Sequence, residues 1–161
     1  MYAFAALLLA AIPLPGQTES TPAPKHPATP FRIFVFSDPR GEPEAVALIE
    51  DATKGCLEVA KRRKDWYAIA SEREQAEIVL KVQASWIDEE MRIERSPLSD
   101  APVNVARSHH YLIAEVTILG SRVTLRAEDG RSMKRAATRL MDALEEFCRK
   151  NYWEIDARRE R

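Results

Sequence analysis

The sequence predicts an α+β fold: a two-layer sandwich with a mainly antiparallel sheet of about four to five strands and two helices covering one face. Three observations lead there. Residues 78–87, 112–118 and 123–127 alternate apolar and polar side chains with the two-residue period of a strand. Two other stretches, following Gly41 and Gly130, repeat apolar residues at the three- and four-residue spacing of a helix face. The clean alternation leaves one sheet face wet, so cover is needed on the other face only, and two amphipathic helices suffice.

Taken in chain order, residues 1–17 form an uncharged stretch whose apolar run of about twelve residues ends in Pro13, Pro15 and Gly16. This has the length of a signal peptide and falls short of the roughly 20 residues a membrane-crossing helix needs. The expectation is export to the periplasm or secretion, with cleavage near Gly16 or Gln17 and no permanent transmembrane anchor. Residues 18–30 carry Pro22, Pro24, Pro27 and Pro30 among small polar residues, the composition of a disordered linker. One folded domain is expected over 31–155, with 156–161 fraying.

Phe31 to Phe36 is aromatic and β-branched and runs into the turn cluster Ser37-Asp38-Pro39-Arg40-Gly41, which predicts a buried first strand. Pro43 and Glu44 suit the first turn of a helix, whose apolar face is Ala45, Leu48, Ile49, Ala52, Cys56, Val59 and Ala60. The cations from Lys61 to Lys64 close it. Trp66 to Ala70 is a short strand candidate. A longer strand follows, with Ile78, Leu80, Val82, Ala84 and Trp86 expected on one face. Leu112 to Ile118 and Val123 to Ala127 then form a hairpin about Gly120-Ser121. Met133, Ala136, Ala137, Leu140, Leu144, Phe147 and Cys148 make the face of the last helix.

Lys plus Arg number 24 against 25 for Asp plus Glu, and the net charge of -1 argues against an electrostatic nucleic-acid binder. Five glycines leave little scope for a phosphate-cradling loop, and no paired-cysteine metal spacing, Gly-x-Ser-x-Gly elbow or His-Glu-x-x-His helix occurs. No cofactor is expected, and the balance leans away from an enzyme. Cys56 and Cys148 allow a disulfide in an exported chain. Antiparallel helices would set the two at different heights, with an axial offset on the order of 10 Å that two buried thiols fit better.

Two places are candidate sites. Met91 to Ser108 reads as a long charged loop, and its Arg92, Glu94, Arg95, Asp100 and Arg107 are candidates for partner binding. At its base, Asp88, Glu89 and Glu90 should meet His109 and His110 if the flanking strands pair. Carboxylates with imidazoles are ligands for a divalent metal or an acid/base set, although adjacent histidines on a strand face opposite ways. In strand and helix order the chain is similar to small α+β domains of periplasmic envelope-assembly proteins, such as the amino-terminal domain of the Tol-system translocation protein. That likeness is one of element order alone, and fold does not fix function. On the apolar leader, the proline-rich spacer and the long loop, the expected function is an exported module of the cell envelope that engages a protein partner through the loop or a sheet edge. The alternative is a metal-dependent hydrolase centred on the acidic and histidine cluster.

Overall fold

The structure, a computed structural model, describes residues 23–95 and 102–160, so the leader and the first part of the linker lie outside it. The elements are β1 (Phe31–Ser37), α1 (Pro43–Arg62), β2 (Tyr67–Ile69), β3 (Ile78–Arg95), β4 (Pro102–Ile118), β5 (Ser121–Asp129), α2 (Met133–Lys150) and α3 (Tyr152–Arg159). The five strands form one sheet in the order β2-β1-β3-β4-β5. β1 runs parallel to β2 and β3, because helical or extended connections return the chain to the same end; β3, β4 and β5 form an antiparallel meander. The α+β sandwich read from the sequence is the observed architecture.

Burial follows the pleat. Phe31 and Ile33, then Ile78, Leu80 and Val82, then Leu112, Ala114, Val116 and Ile118 line the inner face and are buried. The helices cover this face with Ala52, Cys56, Val59 and Ala60 from α1 and Ala136, Ala137, Leu140, Met141, Leu144 and Cys148 from α2. Ser132 starts α2 as a cap, its Oγ accepting from the Arg135 amide. The reversal between β4 and β5 is a two-residue turn at Leu119-Gly120, one residue earlier than expected. Both residues have positive φ, 44° and 87°, the mirror-image turn whose twist matches the strands and which Gly120 enters without strain.

Three expectations need correction. The two long helices run in the same direction, because β1 and β5 both deliver the chain to the same end of the sheet: Gly55 meets Ala137, and farther along Arg63 donates to Asp142 and Glu145. Starting from that contact, Cys148 lies about 15 Å farther along its helix than Cys56 does on its own. The offset survives the change of direction, and both cysteines are free buried thiols rather than a disulfide.

The tail expected to fray is helical through Arg159. This side chain reaches back across the domain to Glu77 at 2.6 Å and donates to the Thr29 carbonyl, while its guanidinium lies 4.6 Å from the Phe31 ring centre. Glu77 also accepts from the Arg32 amide at 2.8 Å. The described part of the linker is accordingly docked rather than free: Pro27 is buried, and His26 meets Trp66 edge-on.

Tyr67 is 3% exposed, and its hydroxyl has no hydrogen-bond partner among the described residues. Removing an unpaired buried polar group relieves a desolvation cost. Tyr67→Phe is therefore expected to match the wild type or gain up to about 1 kcal/mol in urea unfolding. A clear loss of stability would show that the hydroxyl is satisfied.

Candidate functional site

β3 and β4 are far longer than their neighbours. They stay paired from Ile78 opposite Ile118 to Arg95 opposite Pro102. β1 leaves β3 at Val82, and β5 leaves β4 at His110. From Asp88 opposite His109 outwards the two strands continue alone as a ribbon eight pairs long, which projects roughly 26 Å at 3.3 Å per residue. This arm replaces the loop expected over Met91 to Ser108. Met91 to Arg95 and Pro102 to Ser108 are strand; residues 96–101, and with them the candidate Asp100, lie outside the described residues.

A β-bulge sets which way the arm faces. Val82 pairs with Ala114 and Ala84 with Ile113, so Gln83 is the extra residue of β3. Beyond it the parity of β3 is reversed. Ser85, expected on the wet side, is buried opposite Leu112 and donates to the Met133 sulfur, while Trp86, expected in the core, turns to the outer face opposite Tyr111. On the arm, Ile87, Glu89, Met91, Ile93 and Arg95 therefore continue the inner face. Asp88, Glu90, Arg92 and Glu94 continue the outer one.

Most of the outer face is engaged in contacts of its own, although Val103 and Asp88 on it are exposed. Trp86 and Tyr111 stack with ring centres 4.9 Å apart and planes 12° from parallel, and His109 adds a third ring 6.4 Å from Tyr111. Arg92 pairs with Glu90 at 2.9 Å, and Arg107 pairs with Glu94. The Arg92 hydrogen bond holds the Glu90 carboxyl below its ordinary pKa. Partial burial, then the carboxylates of Glu128, Asp88 and Glu90, raise the Tyr111 pKa, so its hydroxyl stays a donor.

The inner face exposes its large apolar side chains. Met91 is 66% and Ile93 76% exposed, and Ile87 beside the helix layer is also exposed. The helices that cover this face over the domain start at Pro43 and Met133, at the arm's base, and run away from it. The arm is a sheet layer without its second layer.

The acidic and histidine residues at the base are divided between the two faces. Asp88, Glu90 and His109 are outer, whereas Glu89 and His110 are inner. His109 Nδ1 lies 2.8 Å from Glu128 Oε1 on β5, a contact that the sequence did not suggest. Among the described residues no group of three or more His, Cys, Asp or Glu side chains is placed to hold a metal ion. Of the loop candidates, Arg92, Glu94 and Arg107 are engaged in pairs along the arm, and Arg95 stands at its far end. The residues that sequence reasoning passed over are the apolar ones, Ile87, Met91, Ile93 and Val103, all exposed on the arm.

The two cysteines offer no nucleophile. Burial pushes both thiols up to about 12, with Glu145 adding to the effect at Cys148. What the arrangement offers chemically is a projecting apolar surface, two free strand edges and an open sheet face. No protein-family model matches the chain, and no curated protein matches its sequence.

Proposed function

We propose that the chain is an exported binding module of the cell envelope whose β3–β4 arm engages a protein partner through its inner face. The observation that carries this reading is the asymmetry of the arm. On the outer side Glu90, Arg92, Glu94, Arg107 and the rings are paired among themselves and the exposed apolar residue is Val103 at 40%, while the longer side chains of Met91 and Ile93 stand in water on the other at 66% and 76%. An isolated two-stranded ribbon is marginal in water, so a surface that completes its missing layer also stabilises it. The free strand edges add backbone donors and acceptors for an incoming strand. Export rests on the uncharged apolar leader and the proline-rich spacer.

Site-specific photocrosslinking in cells tests both parts. A benzoylphenylalanine at Ile93, on the inner face, is expected to give one discrete protein adduct in the envelope fraction. The same probe at Arg92, on the outer face, or at Thr124 on β5 should give none. Met91→Asp should abolish the Ile93 adduct without lowering the melting temperature. Adducts of equal strength from all three positions, or none from Ile93, would overturn the arm as the binding element. Mass spectrometry of the mature protein addresses export separately: cleavage near Gly16 or Gln17 supports it, and an uncut cytoplasmic chain refutes it.

A further inference from the structure

On the sheet face that no helix covers, Ile113 of β4 stands opposite Arg126 of β5, and Tyr111, stacked on Trp86, stands opposite Glu128. Here lies an open hollow of about 440 Å³ lined by Trp86, Tyr111, Ile113, Arg126 and Glu128 among others, a size within the usual range for small-ligand sites. Trp86 is 42% exposed at its margin. Arg126 and Glu128 are two residues apart on β5, so both point to this face with Cα atoms about 7 Å apart.

The two charged side chains differ in what they can take. Arg126 is exposed and makes no ion pair among the described residues, and a guanidinium is a fork of donors with no acceptor. Glu128 spends one oxygen on His109 and keeps the other, and a carboxylate only accepts. A ligand that both donates and accepts satisfies the pair at once. An anion would meet Glu128 and the nearby Asp88 and Glu90, all of which act on the Tyr111 hydroxyl. A cation would meet Arg126. A neutral, polyhydroxylated ring escapes both penalties, and its apolar C–H face suits Trp86, Tyr111 and Ile113.

We propose that this hollow is a binding site for a neutral saccharide, held against Trp86 and Tyr111 with its hydroxyls bridging Arg126 and Glu128. The site is independent of the arm's inner face, which lies on the opposite side of the sheet. Because the hollow is open at the surface, the natural ligand would be a stretch of a longer glycan rather than an enclosed monosaccharide.

The test uses the full chain, calorimetry and amide shifts in NMR, with cellotriose and N-acetylchitotriose as neutral probes and glucuronic acid and choline as charged counterparts. At least one neutral trisaccharide should bind saturably with a Kd on the order of millimolar, shifting the amides of Ile113, Arg126 and Glu128. Arg126→Ala and Trp86→Phe should each weaken it, the first by about tenfold or more, with unchanged circular dichroism. No saturation by either neutral probe, tighter binding of glucuronic acid or choline, or undiminished binding by Arg126→Ala would each overturn the proposal.

Discussion

Gly55→Leu is expected to unfold or severely loosen the domain, lowering its stability by about 3 kcal/mol or more. A Cβ built at Gly55 would sit 3.0 Å from the Ala137 Cβ, so α1 and α2 approach one another through a residue with no side chain. Ala52 and Cys56 beside it, and Ala136 on the other helix, are wholly buried. A branched four-carbon group has no unfilled space to enter and must push the helices apart, which also lifts Val59 and Leu140 off the sheet. Gly55→Ala separates crowding from backbone effects. The methyl group demands a small shift at Ala137, while alanine gains roughly 1 kcal/mol over glycine inside a helix, so this variant should stay within about 1 kcal/mol of the wild type. Urea midpoints of the two variants decide the matter. A leucine variant as stable as the alanine variant would show that the helices do not meet at this point.

The second large effect is alkaline destabilisation. The Cys56 and Cys148 thiols are raised by burial from an ordinary 9.0 to about 12. Folding therefore favours the protonated thiol, and its stabilising contribution is complete below pH 9. As pH rises further, the unfolded chain ionises at each cysteine while the folded one does not. Stability falls by about 1.4 kcal/mol per pH unit for each thiol until the folded groups titrate near 12. Tyr67, whose hydroxyl burial raises far above its ordinary value, adds to the slope above pH 10. Denaturant midpoints measured from pH 8 to 11 should show a steep decline, and replacing both cysteines by alanine should flatten it even if that variant starts lower. A profile that is level to pH 11 in the wild type would mean that the thiols are accessible. At pH 8 the native protein should not react with a thiol reagent, and the unfolded protein should react at both positions.

Much of the fold was legible because burial imposes a pattern. Ile33, Leu112, Ala114 and Val116 are inward at a period of two, and Ala52, Cys56, Val59, Ala136, Leu140 and Leu144 are inward at helical spacing. Each was readable from neighbours that could not be buried in the same direction. Over the arm the sequence reads as a loop, although Met91-Arg92-Ile93-Glu94 and Val103-Asn104-Val105 do alternate. No core enforces a strong contrast there, charges crowd both strands, and Pro97 and Pro102 suggest breaks. Pro102 is harmless where it stands, at the first position of β4 on a ribbon with open edges.

The bulge was hidden for a different reason. Val82, Ala84 and Trp86 continue an apolar series without interruption, and nothing in Gln83 marks it as supernumerary. The candidate site suffered from both effects. The charged residues are the most visible feature of the expected loop, and the pairs Glu90–Arg92 and Glu94–Arg107 occupy Arg92, Glu94 and Arg107 among them. The helix tail was missed because its restraint is long-range: Arg159 is anchored by Glu77, 82 positions earlier, a relation that no local period records.

Gln83 acts as a phase shifter between two regions that share the same strands. In the domain β3 buries its even-numbered residues, and beyond the extra residue it presents its odd-numbered ones in the same direction. Paired through Gln83 as a straight ladder, the same sequence would carry a turned-over arm, its oily stripe beside the glycan hollow and its indole aimed beneath the helices. Removing Gln83 would instead restore a regular ladder and leave the arm facing as it does, because Ala84 would still stand opposite Ile113 next to the Val82 pair. Elsewhere in the strand, with no spare residue to give up, a change of one turns the display over and a change of two keeps it, whatever partner the arm meets.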